Sequence, residues 1–167
     1  MLETAHYKIR KLSLEDAFDY YAIISDDMVA RSAGLKPTKS LDVCNYLVSG
    51  MIFQDNTYVI VHNEIVIGTI GLYQDFLHKA IPSIEIGFML NRNFHRKKVM
   101  EEVLRTFIPY LFLEYDMICL LVFTDNIACI KLAQKLGFVK DGILYGFKKL
   151  DNGLIKDVYL YTLKKGI

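Results

Sequence analysis

The stretch Ile84–Leu104 constrains the fold more than any other part of the chain, because it predicts a buried strand, a short basic loop and a helix start. The loop runs through His95, Arg96, Lys97 and Lys98, with Arg92 just before it. The first N–H groups of a helix have no acceptor within the helix, and the macrodipole makes that end positive. The sequence therefore predicts an anion site here, for which phosphate or pyrophosphate is the natural ligand.

A single carboxylate interrupts the strand that precedes this loop. Glu85 stands between Ile84 and Ile86 in an otherwise apolar run, so the alternation of a strand places it on the opposite face from both isoleucines. A carboxylate in that position is a candidate general base. The alternative is an outward-facing glutamate that pairs with a lysine, and the sequence leaves both open.

Composition sets the broad class. The chain has 167 residues, of which 53% are hydrophobic and 23% charged, and we expect one globular domain over residues 1–167. A net charge of +1 argues against bulk attraction to nucleic acid or to membranes. Cys44, Cys119 and Cys129 form no CxxC pair and are expected to be free thiols of a reducing cytosol. The N-terminus lacks the apolar core of a signal peptide, so we expect a cytoplasmic protein.

Hydrophobic periodicity predicts a mixed α/β sheet with helices on both sides, in the order β-α-α-β-β-β-α-β-α-β-β. The predicted strands cover residues 7–12, 57–61, 65–73, 81–90, 117–123, 138–149 and 154–163. The predicted helices cover residues 14–25, 97–114 and 127–136, and a further helix begins at Ser40. Residues 26–38 are expected to be a loop with a short helical piece at 28–31, and Pro109 should kink or restart the central helix.

Two segments together resemble a known family. They are the strand IEIGFML at 84–90 before its basic loop, and DNIACIKLAQKLGF at 125–138, in which Asn126 is followed by Gly137. With the order of elements, they resemble the GNAT N-acetyltransferases, in the branch that includes the ribosomal-protein alanine N-acetyltransferases. The resemblance covers nearly the whole chain.

The resemblance implies a GNAT-like acyl-CoA N-acyltransferase fold and transfer of acetyl from acetyl-CoA, as co-substrate, to an amine. The cofactor pyrophosphate would lie on the loop and helix start. The pantetheine arm would follow the end of the 84–90 strand where it separates from the strand at 117–123, and backbone N–H groups there could stabilise an oxyanion. The cofactor-binding residues implied are Phe88, Met89, Leu90, His95, Arg96, Lys97, Lys98, Val99, Met100 and Asn126.

The cofactor loop departs from the family pattern. Lys98 occupies a position where relatives usually have glycine, and Met100 occupies a position where they usually have a small residue, although bulk at Met100 also occurs in this branch. Glycine lets backbone N–H groups approach a phosphate closely and allows unusual φ/ψ values. A lysine side chain at this position either blocks the phosphate from the backbone N–H groups or contributes its own positive charge to binding of the pyrophosphate.

The residue that would protonate the departing thiolate is also missing. Ala133 stands where many relatives have a tyrosine, and Cys129 stands where this branch often has a serine. A thiol is a weak hydrogen-bonding group, so Cys129 is interpreted as a packing residue. Tyr145 and Tyr159 are chemically possible acids, but the sequence places neither of them near the site.

Other candidate site features have ordinary structural explanations. Asn126 either bonds a ligand or caps a helix, and the two roles use different atoms. Three cations at a helix N-terminus are electrostatically disfavoured unless an anion joins them, which favours the pyrophosphate site.

The spacing of the histidines predicts no metal site. The tyrosines that could line an acceptor pocket are interpreted as ordinary core and surface residues; they are Tyr20, Tyr21, Tyr46, Tyr58 and Tyr73.

The function predicted is an acetyl-CoA-dependent N-acetyltransferase in which Glu85 assists deprotonation of a primary amine that attacks the thioester directly. The acceptor is a protein N-terminus or a small amine. The alternative is a GNAT-fold binding or regulatory module with a degenerate cofactor loop, and a weaker one is a domain that recognises another phosphate-bearing ligand. The sequence allows a monomer or a homodimer.

Overall fold

The computed structural model describes residues 1–166. Its strands are β1 Leu2–Glu3, β2 Lys8–Lys11, β3 Thr57–His62, β4 Ile65–Gln74, β5 Ser83–Leu90, β6 Met117–Phe123, β7 Val139–Lys149 and β8 Ile155–Lys164. Its helices are α1 Ala17–Ile24, α2 Asp27–Ser32, α3 Leu41–Gln54, α4 Val99–Leu111 and α5 Ile127–Lys135. Short 3-10 helices cover Leu14–Asp16 and Arg92–Phe94.

The predicted mixed α/β architecture is confirmed, with eight strands in one sheet. Two elements of the structure are absent from the predicted order of strands and helices, although one of them was expected as a short helical piece within a loop. β1 is only two residues long, too short to show any periodicity, and it is held by pairing with β2. α2 is the short helical piece expected within 26–38; the Asp26 side chain caps it by accepting from the Val29 N–H at 3.0 Å.

Backbone contacts divide the described chain into two compact units. Unit one comprises Met1–Gly71 and Phe88–Val103. Unit two comprises Leu72–Gly87 and the chain from Leu104 onward. The prediction of a single domain remains a prediction.

Unit one contains β1, β2 and β3, most of β4 and the end of β5, together with α1 to α3. β3 and β4 form a hairpin, whose two turn residues, Asn63 and Glu64, have φ of 49° and 64°. Positive φ at both positions matches the right-handed twist of the paired strands. The core of this unit packs the helices on the strands; its most buried members include Ile23, Ala30, Cys44, Val48 and Val59.

Unit two is built around β6, most of whose residues are buried. β6 pairs in parallel with β5 through Ser83–Met117, Ile84–Ile118 and Glu85–Cys119, and both strands continue beyond the last of these pairs. On its other side β6 pairs antiparallel with β8, which pairs with β7. The pairing of β7 with β8 has register shifts between Lys140 and Gly142 and between Leu144 and Lys148.

The helix ends follow the local sequence. α5 ends at Lys135, and Gly137, directly after the C-cap residue Leu136, has φ of +90°. α4 begins at Val99, later than the predicted residue 97, because Lys98 has a positive φ that no helix accommodates. Pro109 lies inside α4, and the helix runs through it to Leu111. None of the helices in residues 1–166 is both long and apolar enough to cross a membrane.

Candidate active site

Glu85 lies on β5 as the alternation predicted. Ile84 and Ile86 are buried, whereas Glu85 is partly exposed on the other face of the strand. Its neighbour across the parallel pair is Cys119 on β6. The strand therefore presents one carboxylate within unit two, between two core positions that hold the backbone in place.

The surroundings of Glu85 are acidic. Burial raises the pKa of Glu85, and the negative charge of Asp75 raises it further. Within residues 1–166 Glu85 makes no ion pair with a lysine, so the alternative interpretation of a surface salt bridge is not what the structure shows. A carboxylate with a raised pKa and no ion pair within residues 1–166 is a candidate general base.

Tyr73 is the aromatic residue beside Glu85. Burial and then the charge of Glu85 raise the pKa of the Tyr73 phenol. A Cβ added at Gly87 would come within 3.2 Å of Tyr73 Cε2, so the ring lies against Gly87 of β5. Sequence reasoning treated Tyr73 as an ordinary aromatic, because nothing in its local pattern relates it to Glu85.

A cluster of Asp75, His78 and Cys119 lies in the same unit, and sequence reasoning missed it. Asp75 Oδ2 is 2.8 Å from His78 Nδ1 and 3.1 Å from Cys119 Sγ, and Cys119 Sγ is 3.5 Å from His78 Nδ1. The only sequence signal is Asp-x-x-His in the polar connection after β4. The third member comes from β6, which only the fold brings there.

Hydrogen bonds within the cluster determine that Asp75 is ionised and that Cys119 keeps its proton. Burial alone would raise the pKa of Asp75, but bonds from Cys119, the Leu77 N–H, Ser83 and His78 lower it to about 2. Burial, then the hydrogen bond to Asp75, then the charge of Asp75 raise the pKa of the Cys119 thiol well above its usual range. Asp75 is therefore a carboxylate at neutral pH, and Cys119 is a thiol that donates to it.

The basic loop has an unusual backbone. After the 3-10 turn, His95 Nε2 donates to the Leu90 carbonyl at 2.9 Å, which ties the loop to the end of β5. Arg96 and Lys98 both have left-handed backbones, with φ of 61° and 58°. Left-handed residues are a component of the backbone nests that bind anions in other proteins, so the loop has a conformation that favours an anion site.

Lys98 therefore has the backbone conformation that glycine adopts most easily. A lysine at φ 58° pays a steric penalty of roughly 1–2 kcal/mol that glycine would not. The carbonyl of Lys98 accepts the first helical bond of α4, from the Glu102 N–H at 3.1 Å. The earlier N–H groups of the helix precede that bond and face the loop, as at any helix start.

The side chains of the loop divide into two groups. Those of Arg96, Lys97 and Lys98 are exposed, and Lys97 Nζ lies 5.3 Å from the centre of the Phe94 ring. Val99 and Met100 are 1% and 7% exposed, so only their backbone groups can meet a ligand. That explains in physical terms why a bulky residue is tolerated at position 100.

Acidic residues in the first turn of α4 alter the electrostatic argument made from sequence. Glu101 and Glu102 both favour the positive end of the helix. Glu102 also accepts from Thr4 Oγ1 at 2.6 Å and from the His6 N–H at 3.0 Å, which lowers its pKa. These two carboxylates therefore offset part of the positive charge at the start of α4. The left-handed backbone of the loop is then stronger evidence for an anion site than the cationic side chains are.

The end of β5 packs closely against β4. Met89 is 8% exposed and its carbonyl would lie 2.7 Å from a Cβ at Gly68, so that position accepts only glycine. The Asn91 N–H donates to the Ile67 carbonyl at 2.7 Å. Phe88 and Leu90 are partly exposed, so a ligand can reach both of these residues at the end of the strand.

Asn126 caps α5, since its Oδ1 accepts from the Cys129 N–H at 3.2 Å. The cap does not use the side-chain NH₂ group, so the ligand role stays possible. Burial raises the pKa of the Cys129 thiol to about 12, which fits a packing residue and not an acid. Ala133 is fully buried.

The two tyrosines proposed as acids have other surroundings. Tyr145 is 76% exposed, and Tyr159 has Lys140 Nζ 3.5 Å from the centre of its ring. All three cysteines are free, as expected. The structure brings Glu85, Tyr73 and Asp75 together within unit two, and the basic loop and the end of β5 together within unit one.

Comparison with known proteins identifies the family. A model of the acetyltransferase (GNAT) domain matches residues 7–139. An uncharacterized N-acetyltransferase of Bacillus licheniformis, p20, is 30% identical over 98% of this chain and 96% of its own length. The chain therefore belongs to the GNAT acetyltransferase family, and the prediction of an N-acetyltransferase is confirmed.

Solved structures confirm the fold. A GNAT-family acetyltransferase from Bacillus anthracis matches with a TM-score of 0.85 at 17% identity, over 98% of this chain and 97% of that one. RimL, a ribosomal-protein alpha-N-acetyltransferase in complex with coenzyme A, matches at 0.83 and 16%, over 96% and 95%. Spermidine N-acetyltransferase from Vibrio cholerae, in complex with CoA and spermine, matches at 0.81 and 18%, over 96% of each chain.

Proposed function

We propose that this chain transfers the acetyl group of acetyl-CoA to a primary amine, with Glu85 as the general base. The observation that carries the proposal is the state of Glu85, which is half-buried, has a raised pKa and makes no ion pair in residues 1–166. Acetyl-CoA supplies the thioester whose C–S bond is broken. The same strand, β5, carries both Glu85 and the partly exposed Phe88.

Glu85 prepares the amine. An ammonium group has no lone pair, so the acceptor must lose a proton before it attacks. Glu85 takes that proton, directly or through one water. The neutral nitrogen would then attack the thioester carbonyl. As the amide forms and the C–S bond breaks, the nitrogen would lose its second proton to solvent and the departing thiolate would take up a proton from solvent. No covalent intermediate on the protein is required.

The basic loop fits the pyrophosphate of acetyl-CoA. Its left-handed residues, Arg96 and Lys98, give the loop the kind of backbone that occurs in anion-binding nests, and it lies directly before the start of α4. The exposed cationic side chains of Arg96, Lys97 and Lys98 add charge of the required sign. In this proposal His95 orders the loop, Val99 and Met100 contribute backbone groups, and Asn126 uses its free NH₂ group for a ligand contact.

Two solved relatives of this fold guide the choice of acceptor. RimL acts on a protein N-terminus, and the Vibrio cholerae enzyme acts on spermidine. Both acceptors are amines, which supports an amine acceptor here. A degenerate binding module is not proposed, because the left-handed backbone at Lys98 keeps the conformation that the usual glycine would provide.

Calorimetric titration with acetyl-CoA tests the cofactor step. Micromolar binding by both the wild-type protein and Lys98→Gly is expected, because both residues accept the backbone conformation of the loop. Binding restored only by Lys98→Gly would mean that the lysine side chain closes the site. Binding by neither protein would overturn the proposal.

Turnover is then tested by following CoA thiol release with a panel of N-terminal peptides, polyamines and amino sugars. Release that depends on one amine class, and that Glu85→Gln lowers about a hundredfold, is the expected result. Acetyl-CoA binding without release on any amine would favour a binding module.

A further inference from the structure

We propose that Asp75, His78 and Cys119 form a zinc-binding site that uses Asp75 Oδ2, His78 Nδ1 and Cys119 Sγ as ligands. These three atoms lie within 4.8 Å of one another, and Asp75 and Cys119 are buried. The site belongs entirely to unit two and does not depend on acetyl transfer.

The spacing of the ligand atoms is close to that of a zinc site. Zinc bonds of about 2.0–2.3 Å at tetrahedral angles place neighbouring ligand atoms roughly 3.3–3.6 Å apart. The thiol sulfur and His78 Nδ1 are already 3.5 Å apart, while Asp75 Oδ2 lies 2.8 Å and 3.1 Å from the other two. A shift of the carboxylate by a few tenths of an ångström completes three corners of the tetrahedron.

The ligand types select the metal. Calcium and magnesium prefer oxygen ligands, whereas a thiolate, an imidazole and a carboxylate together are ligands that zinc accepts. Three protein ligands leave a fourth corner for water. The cluster is too well buried to be an ordinary surface group of acidic side chains: Cys119 is 1% exposed and Asp75 is 8% exposed.

Neighbouring groups would hold the ligands in place. The other oxygen of Asp75 accepts from the Leu77 N–H at 2.9 Å, which fixes the carboxylate. His78 Nε2 lies 3.8 Å from Asp141 Oδ2, so a carboxylate stands behind the imidazole on the side away from the metal. Carboxylates in that position orient metal-binding histidines and fix their tautomer.

Several negative charges act on the cluster. Asp75, Glu85 and Asp141 all act on Cys119. The described ion pairs of Asp75 and Asp141 involve only His78, which is neutral when it binds a metal. A divalent cation supplies the missing positive charge, and it lets Cys119 lose its proton.

Binding has a defined proton balance. Without metal, His78 Nδ1 and the Cys119 thiol both carry hydrogens that point at Asp75. On binding, the thiol proton leaves to solvent, and the imidazole hydrogen moves from Nδ1 to Nε2, toward Asp141. With His78 neutral before and after, one proton is released for each zinc bound.

Cobalt(II) is the probe, because its thiolate complexes give a charge-transfer band that zinc lacks. The untagged full chain, stripped with a chelator and kept free of CoA, is titrated with Co²⁺. One equivalent is expected to give the thiolate band and visible bands of tetrahedral cobalt, and Zn²⁺ should displace both. Cys119→Ser should lose the thiolate band, whereas the matched control Cys129→Ser should keep it.

Calorimetry with Zn²⁺ gives a second readout that needs no variant. In mildly alkaline buffers of different ionisation enthalpy, the wild-type protein should release about one proton per zinc. No stoichiometric cobalt spectrum, or a thiolate band that survives Cys119→Ser, would overturn the proposal, and the cluster would then be a hydrogen-bonded network only. Because no step uses acetyl-CoA, failure here leaves the proposed acetyl transfer standing.

Discussion

Glu85 of unit two and Lys98 of unit one differ in which part of the residue is unusual. Glu85 has an ordinary strand backbone and a side chain whose pKa its surroundings raise. Lys98 has an exposed side chain and a left-handed backbone with φ of 58°. We infer that position 85 acts through its side chain and position 98 through its backbone, so substitutions at the two positions should follow different rules.

The largest effect is expected at Glu85. Glu85→Gln keeps the shape and removes the base, so we expect kcat to fall about 10²–10³-fold while acetyl-CoA affinity stays the same. Steady-state kinetics and calorimetry measure the two quantities. Glu64→Gln, an exposed glutamate of the β3–β4 turn, is the matched control. A loss of kcat below about tenfold would show that proton transfer does not depend on Glu85.

Substitutions at Lys98 separate backbone from charge. Proline cannot adopt a positive φ, so Lys98→Pro should weaken acetyl-CoA binding roughly tenfold or more. Lys98→Ala keeps the Cβ and loses the charge, whereas Lys98→Gly loses both. Calorimetric affinities should therefore rank glycine at or above alanine, with proline far below. Equal losses for glycine and proline would mean that the lysine charge matters and the backbone does not.

The same contrast shows what the sequence could predict. The run of core residues around Glu85, the apolar stretch of β6 and the glycine that ends α5 each follow from local periodicity or turn chemistry, and these elements were placed correctly. Residue type also singled out Glu85. At Lys98 the amino acid argued against a cofactor loop, because a one-letter pattern shows the side chain and not the φ angle.

The sequence could not predict a cluster whose members come from segments that are far apart along the chain. Asp75 and His78 lie in a connection without periodicity, and Cys119 lies in a strand whose pattern indicates only burial. The expectation that the chain has no metal site considered the spacing of histidines alone. The parallel pairing of β5 with β6, which sets Cys119 opposite Glu85, is a tertiary fact.

The pH dependence should reflect the surroundings of Glu85. A base works when deprotonated, so the rate falls as the pH drops through its pKa. Because burial and Asp75 raise that pKa, half-maximal kcat/KM should lie above the ordinary glutamate range of about 4.3. The measurement is a pH profile in chelator, and the acid limb should be absent from the residual activity of Glu85→Gln. A limb at or below the ordinary range would contradict the assignment.

Glu85 should also reduce stability. A raised folded-state pKa means that burial penalises the charged form, so this penalty is present above that pKa and disappears as the pH falls through it. Glu85→Gln should therefore melt at a higher temperature than wild type at neutral pH, and the difference should shrink in acid. Thermal unfolding at several pH values measures it. A variant that melts lower at neutral pH would mean that the carboxylate makes stabilising contacts.

The smallest effect is expected from Lys97. Its side chain is exposed and rests near the Phe94 ring, so its attraction to a pyrophosphate is screened by solvent. Exposed charge pairs contribute about 0.2–1 kcal/mol, so Lys97→Ala should weaken acetyl-CoA binding only about two- to threefold, and less as salt rises. Calorimetry at two ionic strengths tests this. A loss as large as that of Lys98→Pro, independent of salt, would place the binding energy in the side chains, and the distinction between positions 85 and 98 would fail.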